Sequence, residues 1–153
     1  MRECLFRGKR LEKDRCGFDD VDWVEGSLID SGNHCQVAIF PWVKGASTMG
    51  LRQLVHFRMA GVDPATVGQY TGLTDKNGKK IFEGDIVDVG GHGVMVNGLY
   101  RVIFCTANHC WAVERNPEHF HSYFTFSDLN GFADSSEVIG NIHDNPELFE
   151  EAK

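Results

Sequence analysis

The feature that most constrains the fold of this chain is a hairpin signal at residues 68–87, GQYTGLTDKNGKKIFEGDIV. Asn77 and Gly78 are residue types that readily adopt positive φ, as a type I′ hairpin turn requires. Apolar and aromatic residues flank this pair on both sides, so the flanks are predicted to form antiparallel strands. The Glu-Gly-Asp sequence at residues 83–85 interrupts the second flank, where a bulge or tight corner would direct the strand into a new sheet.

The composition also indicates a β protein. The chain has 153 residues with 17 glycines and 11 phenylalanines, which favours many turns over long helices. This length suits one domain, or two very small units sharing a core. Further strands are predicted at residues 4–6, 23–29, 36–42, 99–104, 111–114, 119–126 and 137–142. Asn145 as N-cap and Pro146 at the first helical position predict a short C-terminal helix.

Two pairs of similar short segments within the chain suggest an internal duplication. Residues 24–29, VEGSLI, resemble residues 82–87, FEGDIV, and residues 67–70, VGQY, resemble residues 139–142, IGNI. Both matches occur in the same order along the chain. They lead to the hypothesis that a small β unit is present twice and that both copies use the same Glu-Gly corner.

Charge and hydropathy restrict the partners and the compartment. A net charge of −7 disfavours indiscriminate binding to nucleic acid or anionic lipid, because both require a basic surface. The longest apolar run, at residues 37–40, is too short to span a membrane. The first ten residues carry charges where a signal peptide needs an apolar core. We therefore expect a cytoplasmic protein that does not bind membranes, with mostly free thiols among its five cysteines.

The sharpest chemical candidate is a group of cysteines and histidines, Cys105, Cys110, His119 and His121. Zinc takes four nitrogen or sulfur ligands, and strong motifs supply them as CxxC or HxxxH pairs. The spacing here is CxxxHC followed by HxH, which matches no common zinc motif. These four residues are therefore weak metal candidates, a metal-dependent enzyme ranks last among the functions, and we expect no cofactor.

The sequence patterns that would indicate nucleophilic or acid–base catalysis are equally weak. No combination of cysteine, histidine and carboxylate has a spacing that singles out a nucleophile and its base. Glu83 and Asp85 form a carboxylate pair, but Asp85 beside Gly84 is better suited to accept hydrogen bonds from the backbone of a turn. The chain is predicted not to be an enzyme.

Binding of single-stranded nucleic acid is the alternative function that these residues leave open. Small β-barrels bind single strands through aromatic platforms in a positive groove. Lys76, Lys79 and Lys80 surround the predicted turn, and Tyr70 lies on the strand before it. These four residues are the candidates for such a surface. Most other aromatic residues are expected in the core, because a chain with few helices must fill its interior with them.

The hairpin also carries a family resemblance. Residues 62–87, VDPATVGQYTGLTDKNGKKIFEGDIV, resemble the hallmark segment of the YopX family of bacteriophage and prophage proteins. Further agreement lies in residues 1–3 with 6–10, in residues 23–29, and in residues 137–142 with 145–148. The resemblance spans nearly the whole chain and departs from the family pattern at residues 44–61, in the glycine-rich loop at residues 90–93, and among the cysteines and histidines between residues 105 and 121.

The resemblance implies an all-β protein of phage or prophage origin whose second half is similar to an SH3-like barrel. The predicted segments are an N-terminal β unit at 1–66, an SH3-like β-barrel unit at 67–143, and a short C-terminal helix and tail at 144–153. The family is functionally uncharacterised and offers no catalytic residues. The predicted function is a non-enzymatic accessory or protein-interaction module that binds a phage or host protein. Pairing between copies of the chain through unpaired strand edges stays open.

Overall fold

The fold class is all-β, as predicted. The computed structural model describes residues 4–11, 23–30, 37–41, 60–90, 97–115, 123–125 and 131–150. These residues form eleven strands, two short α-helices and one 3₁₀ turn. The chain divides into two compact units, Met1–Gln69 and Tyr70–Lys153.

The first unit contains four antiparallel strands, and the continuation of the first also meets the last through an isolated bridge. They are β1 (Phe6–Lys9), β2 (Trp23–Asp30), β3 (Val37–Pro41) and β4 (Ala60–Val62). Strand β1 pairs with β2, β2 with β3, and β3 with β4. The continuation of β1 then returns to β4, where Arg10 bridges Val62 and the Leu11 N–H donates to the Gly61 carbonyl at 3.1 Å.

A glycine allows the strands of the first unit to approach closely. A Cβ atom on Gly8 would lie 3.0 Å from the Val62 Cβ and 3.2 Å from the Ile39 Cδ1. Val62 and Ile39 are fully buried and form the core of this unit with Val24 and Ala60. The tight contact therefore places β1 against the same side chains that β3 and β4 contribute to the core.

The second unit is organised around a five-stranded antiparallel sheet. The strands of this unit are β5 (Gly68–Thr74), which begins at the end of the first unit, β6 (Lys80–Phe82), β7 (Asp85–Val89), β8 (Gly98–Cys105), β9 (Cys110–Glu114), β10 (Tyr123–Thr125) and β11 (Ser136–Asn141). The sheet order is β10-β9-β8-β7-β11. Strands β5 and β6 pair as a hairpin, and the start of β5, at Gly68 and Gln69 in the first unit, pairs with β1.

Two short helices complete the second unit, α1 (Phe132–Ser135) and α2 (Pro146–Glu150). Helix α2 is the predicted C-terminal helix and begins at the predicted proline. No helix in the described part of the chain is long and apolar enough to cross a membrane.

The core of the second unit lies on one face of this sheet. Val87 stands opposite Tyr100, and Val102 stands opposite Val113, so each pair projects from the same face. The full set is Ile81, Val87, Val89, Tyr100, Val102, Val113, Phe132 and Val138. Each fully buried aliphatic side chain of this kind contributes about 1.5–3 kcal/mol relative to an exposed one.

The described strands do not show a closed barrel in the second unit. Within these residues, β10 pairs with β9 and β11 pairs with β7, and no ladder joins β10 to β11. The SH3-like barrel remains a prediction.

The predicted central hairpin is confirmed, and its pairing has an irregular register. Tyr70 stands opposite Phe82 near its base, and Thr74 stands opposite Lys80 near its tip. The register shifts between these two pairs. The hairpin therefore forms from the flanks that the sequence indicated, with a break in regular pairing between the two paired positions.

The predicted type I′ turn of this hairpin is wrong. Gly78 has φ +80°, but Asn77 does not adopt positive φ. The Asp75 carboxylate accepts hydrogen bonds from the N–H groups of Asn77 and Lys79, both at 2.9 Å. The loop therefore wraps around an aspartate side chain, in the manner of an Asx turn, and the asparagine keeps an ordinary backbone conformation.

The hypothesis that both halves use the same corner is also wrong. The first copy, residues 25–27, lies inside β2, where Gly26 pairs with Phe6 on one side and Pro41 on the other. Gly84 in the second copy has φ +82° and lies in the turn between β6 and β7. The same residue pattern thus forms a continuous strand in one place and a corner in the other.

Candidate functional site

Asp75 connects the hairpin loop to the edge of the sheet. Its side chain is 5% exposed. One carboxylate oxygen, Oδ1, accepts from the two loop amides, and the other, Oδ2, accepts from the Val138 N–H at 2.9 Å. Val138 lies on β11, 63 residues further along the chain.

The hydrogen bonds of Asp75 determine its charge state. Burial raises the pKa of the Asp75 carboxyl, but the backbone donors of Val138, Lys79 and Asn77, with the charge of Lys79, hold it below its usual range. The carboxyl is therefore ionised at neutral pH. An ionised carboxylate that accepts three backbone N–H groups is a structural hub, because its acceptor sites are occupied by the fold.

The same loop covers the outer edge of β11. The Lys76 N–H donates to the Ser136 carbonyl at 3.0 Å, and the Lys79 ammonium donates to the Val138 carbonyl at 3.3 Å. Together with the Asp75 bond, these contacts satisfy backbone groups on the side of β11 that faces away from β7. An unpaired strand edge invites pairing with another chain, and the loop prevents that here.

The candidate lysines of the nucleic-acid alternative all lie on this hairpin. The Lys76 Nζ is 2.6 Å from the Glu137 Oε2, with both side chains a little under half exposed. The hydrogen bond to Glu137, followed by the charge of Glu137, raises the pKa of Lys76. Lys79 contacts β11, and the Lys80 Nζ lies 5.7 Å from the centroid of the Tyr70 ring. Each ammonium group thus has an intramolecular contact.

Tyr70 is placed in the interior of the second unit. Its side chain is 9% exposed, and its ring centroid lies 5.5 Å from that of Phe82. A stacking platform for a nucleotide base needs an open aromatic face. The structure therefore brings the four predicted residues together on one hairpin, with the aromatic ring covered.

Two of the four weak metal candidates can be placed. Cys105 ends β8, and Cys110 begins β9 directly opposite it, and both are free thiols. His119 and His121 lie outside the described residues. Among the residues that the structure describes, no group of three or more His, Cys, Asp or Glu residues could hold a metal ion.

The predicted role of Asp85 as an acceptor for the backbone of a turn is confirmed. Asp85 is fully buried, and its Oδ2 accepts from the Phe82 N–H at 2.8 Å. In the same turn, the Gly84 N–H donates to the Val102 carbonyl, and the Gly84 carbonyl accepts from the Ile142 N–H, each at 2.9 Å. The Glu-Gly-Asp corner therefore joins three segments of the second unit through its backbone.

The closing motif, IGNIHDNPEL, is organised by an asparagine side chain. The Asn141 Oδ1 accepts from the N–H groups of His143 and Asp144 at 2.9 and 3.0 Å. A Cβ atom on Gly140 would lie 2.6 Å from the Asn145 Oδ1, so glycine is needed for this close approach. These contacts turn the chain from β11 into α2.

One aromatic pair in the second unit remains partly open to solvent. Phe104 is 41% exposed, and its ring meets that of Trp111 edge-on, with 5.1 Å between centroids. Trp111 itself is 6% exposed, and its indole Nε1 is buried without a hydrogen-bond partner. Sequence reasoning did not identify this pair, because alternation along β8 places Phe104 on the same face as the buried Tyr100 and Val102.

The geometry defines an all-β protein whose characteristic motifs hold turns and strand edges in place. The YopX protein family matches residues 21–150, and the chain belongs to this family. The crystal structure of protein EF1440 from Enterococcus faecalis is similar, with 34% identity, a TM-score of 0.36 and coverage of 55% of each chain. The match thus spans about half the length of that protein. No curated protein matches the chain.

Proposed function

We propose that this YopX-family protein is a non-enzymatic interaction module, encoded by a phage or prophage, that binds a phage or host protein in the bacterial cytoplasm. Family membership supports the phage context, since the motifs at residues 62–87 and 137–148 resemble those of phage and prophage proteins.

The polar residues of these motifs support a role other than catalysis. Asp75, Asp85 and Asn141 are all buried and accept hydrogen bonds from backbone N–H groups. A general acid or base must exchange protons with a substrate within hydrogen-bond reach. Side chains that are enclosed and bonded to the backbone are poorly suited to that task, and well suited to holding a rigid scaffold.

The observation that carries the proposal is the exposed ring of Phe104 against the buried Trp111. Aromatic residues are enriched at protein interfaces, and they contribute most where the ring is already held in place. The edge-on contact with Trp111 restricts the ring, so binding costs less conformational entropy. The β8–β9 end of the sheet is therefore the surface that we assign to the partner.

A capture experiment with two matched variants tests this surface. The tagged full chain, a Phe104→Ser variant and an Ile139→Ser variant are each incubated with bacterial lysate, and the bound proteins are quantified by mass spectrometry. Ile139 is 40% exposed in the same unit and serves as the control. We expect one or more proteins enriched by the wild type and by Ile139→Ser, and at least about tenfold less by Phe104→Ser. Equal enrichment by both variants, or no enrichment over beads alone, would contradict the proposal.

The nucleic-acid alternative is tested on the same preparations. Single-stranded DNA is titrated with the wild type at low salt and followed by gel retardation. The interaction-module proposal predicts no shift. A shift that weakens as salt rises, and that Lys76→Gln and Lys80→Gln reduce, would instead support binding through the hairpin lysines.

A further inference from the structure

The β8–β9 hairpin ends in two cysteines that face each other. Cys105 and Cys110 are directly opposite in the antiparallel register, and four residues connect them. Opposite residues in antiparallel strands have Cα atoms about 4.5 or 5.5 Å apart, and their side chains project from the same face. Disulfides span Cα distances of about 4.4–6.8 Å. The strand register therefore places the two cysteines at a backbone separation that a disulfide can span.

The two thiols differ in exposure. Cys105 is 8% exposed, Cys110 is partly exposed, and the four residues of the connecting turn are all exposed. A small molecule in solution can thus reach Cys110 at the hairpin end, while Cys105 is shielded. This difference assigns an order to any reaction that involves both sulfur atoms.

We propose that Cys105 and Cys110 form a reversible thiol–disulfide modification site that takes a low-molecular-weight disulfide, of the glutathione disulfide class, as its oxidant. The Cys110 thiolate attacks one sulfur of the oxidant, which forms a mixed disulfide and releases one thiolate. The Cys105 thiolate then attacks the Cys110 sulfur, and the second thiolate leaves. Each cysteine gives up one proton, and the two electrons lost by the pair reduce the oxidant to two thiols.

Geometry makes this disulfide easy to reduce again. The Cβ atoms of directly opposite residues generally lie about 4.5–5.5 Å apart, at or above the roughly 3.5–4.5 Å that a disulfide spans, so closing the bond draws the two strand ends together. Strained disulfides have more oxidising potentials and are the labile ones. The dithiol is therefore the resting form, and the disulfide forms when oxidant accumulates.

Mass spectrometry of the folded chain tests the proposal. A variant with Cys4, Cys16 and Cys35 changed to Ser is incubated with glutathione disulfide under native conditions and then denatured in acid. We expect the loss of two hydrogen masses without a glutathione adduct, and full reversal by reduced glutathione. Two glutathione adducts on one chain, or no reaction of the folded protein, would overturn the proposal.

Single substitutions in this background test the order of attack. Cys105→Ser should stop at a stable mixed disulfide on Cys110, because the resolving thiol is missing. Cys110→Ser should react at least about tenfold more slowly, since the remaining Cys105 is buried. Equal rates for the two variants would contradict the order. Peptide mapping of the oxidised wild type gives a result that does not depend on whether the variants fold. It should show a disulfide between Cys105 and Cys110. A disulfide between either residue and another cysteine would overturn the proposal.

Discussion

The Asp75 Oδ2 accepts a hydrogen bond from the Val138 N–H at 2.9 Å, so a loop carboxylate occupies a position where a further strand would pair. The other oxygen of Asp75 holds the loop itself through the amides of Asn77 and Lys79. One side chain therefore couples the shape of the hairpin to the edge of the sheet. The hairpin segment that most clearly marks the family therefore fixes the edge strand β11 within the second unit. We call these hydrogen bonds of Asp75, to the amides of its own loop and of Val138, the Asp75 clasp.

Replacing Asp75 by Asn should lower the free energy of unfolding by about 1–3 kcal/mol. The amide keeps the size of the side chain but offers one oxygen, so its NH₂ group faces a backbone N–H that has lost its acceptor. Urea denaturation measures the loss. Asp63→Asn is the control, because its carboxylate accepts from the Ala65 N–H in an exposed turn, where Asn is an equally good cap. Equal losses in the two variants would contradict the hub role of Asp75.

The pKa of Asp75 predicts an acid-dependent loss of stability. The folded-state pKa is lowered below the unfolded value of about 3.9, so the folded state binds fewer protons. The contribution of Asp75 is fully present above the unfolded pKa and is lost as pH falls through the folded pKa. Urea midpoints measured from about pH 6 down to pH 2.5 should fall more steeply for the wild type than for Asp75→Asn. Parallel curves would be evidence against this prediction.

Gly84→Ala should destabilise the protein by about 1–2 kcal/mol, because the residue has φ +82° and a side chain disfavours that conformation. A Cβ atom would lie 3.5 Å from the Ile142 Cγ1, which is an ordinary contact, so backbone strain is the main cost. Gly61→Ala is the matched control, since its φ is not positive and no atom lies within 4 Å of an added Cβ. Thermal unfolding should show a loss for Gly84→Ala alone.

His109→Gly should stabilise the protein by about 0.5–1 kcal/mol, because glycine adopts positive φ without a steric penalty. Ala107→Gly in the same exposed turn should lower stability by about the same amount, since glycine there only adds freedom to the unfolded chain. Opposite signs for two glycine substitutions two residues apart are the expected result of chemical denaturation. A loss in both variants would show that the His109 side chain makes a contribution larger than the strain.

The parts of the fold that could be predicted depend on local patterns. The hairpin was predicted because apolar flanks surround an Asn-Gly pair, and Asp85 was assigned to its turn because it follows Gly84. The type of the central turn could not be predicted in the same way. It is determined by Asp75, whose second oxygen binds a residue 63 positions further along the chain. A contact of that kind leaves no trace in the spacing of nearby residues.

Burial was the other quantity that the sequence could not supply. Tyr70 and Phe104 are both aromatic residues on strands, yet Tyr70 is 9% exposed and Phe104 is 41% exposed. The difference arises from what covers each strand, and alternation reports only which residues share a face. The sequence therefore predicts a binding surface that includes the covered Tyr70, and it gives no sign of the exposed ring of Phe104.

Amide hydrogen exchange at Val138, followed by NMR in the wild type and in Asp75→Asn, tests the clasp most directly. The structure predicts that the Val138 amide is protected in the wild type and exchanges at least about tenfold faster in the variant, relative to amides in the centre of β8. Referring the rate to β8 removes the effect of a general loss of stability. A Val138 amide that exchanges like an unprotected peptide in the wild type, or that keeps its relative protection in the variant, would contradict the role assigned to Asp75.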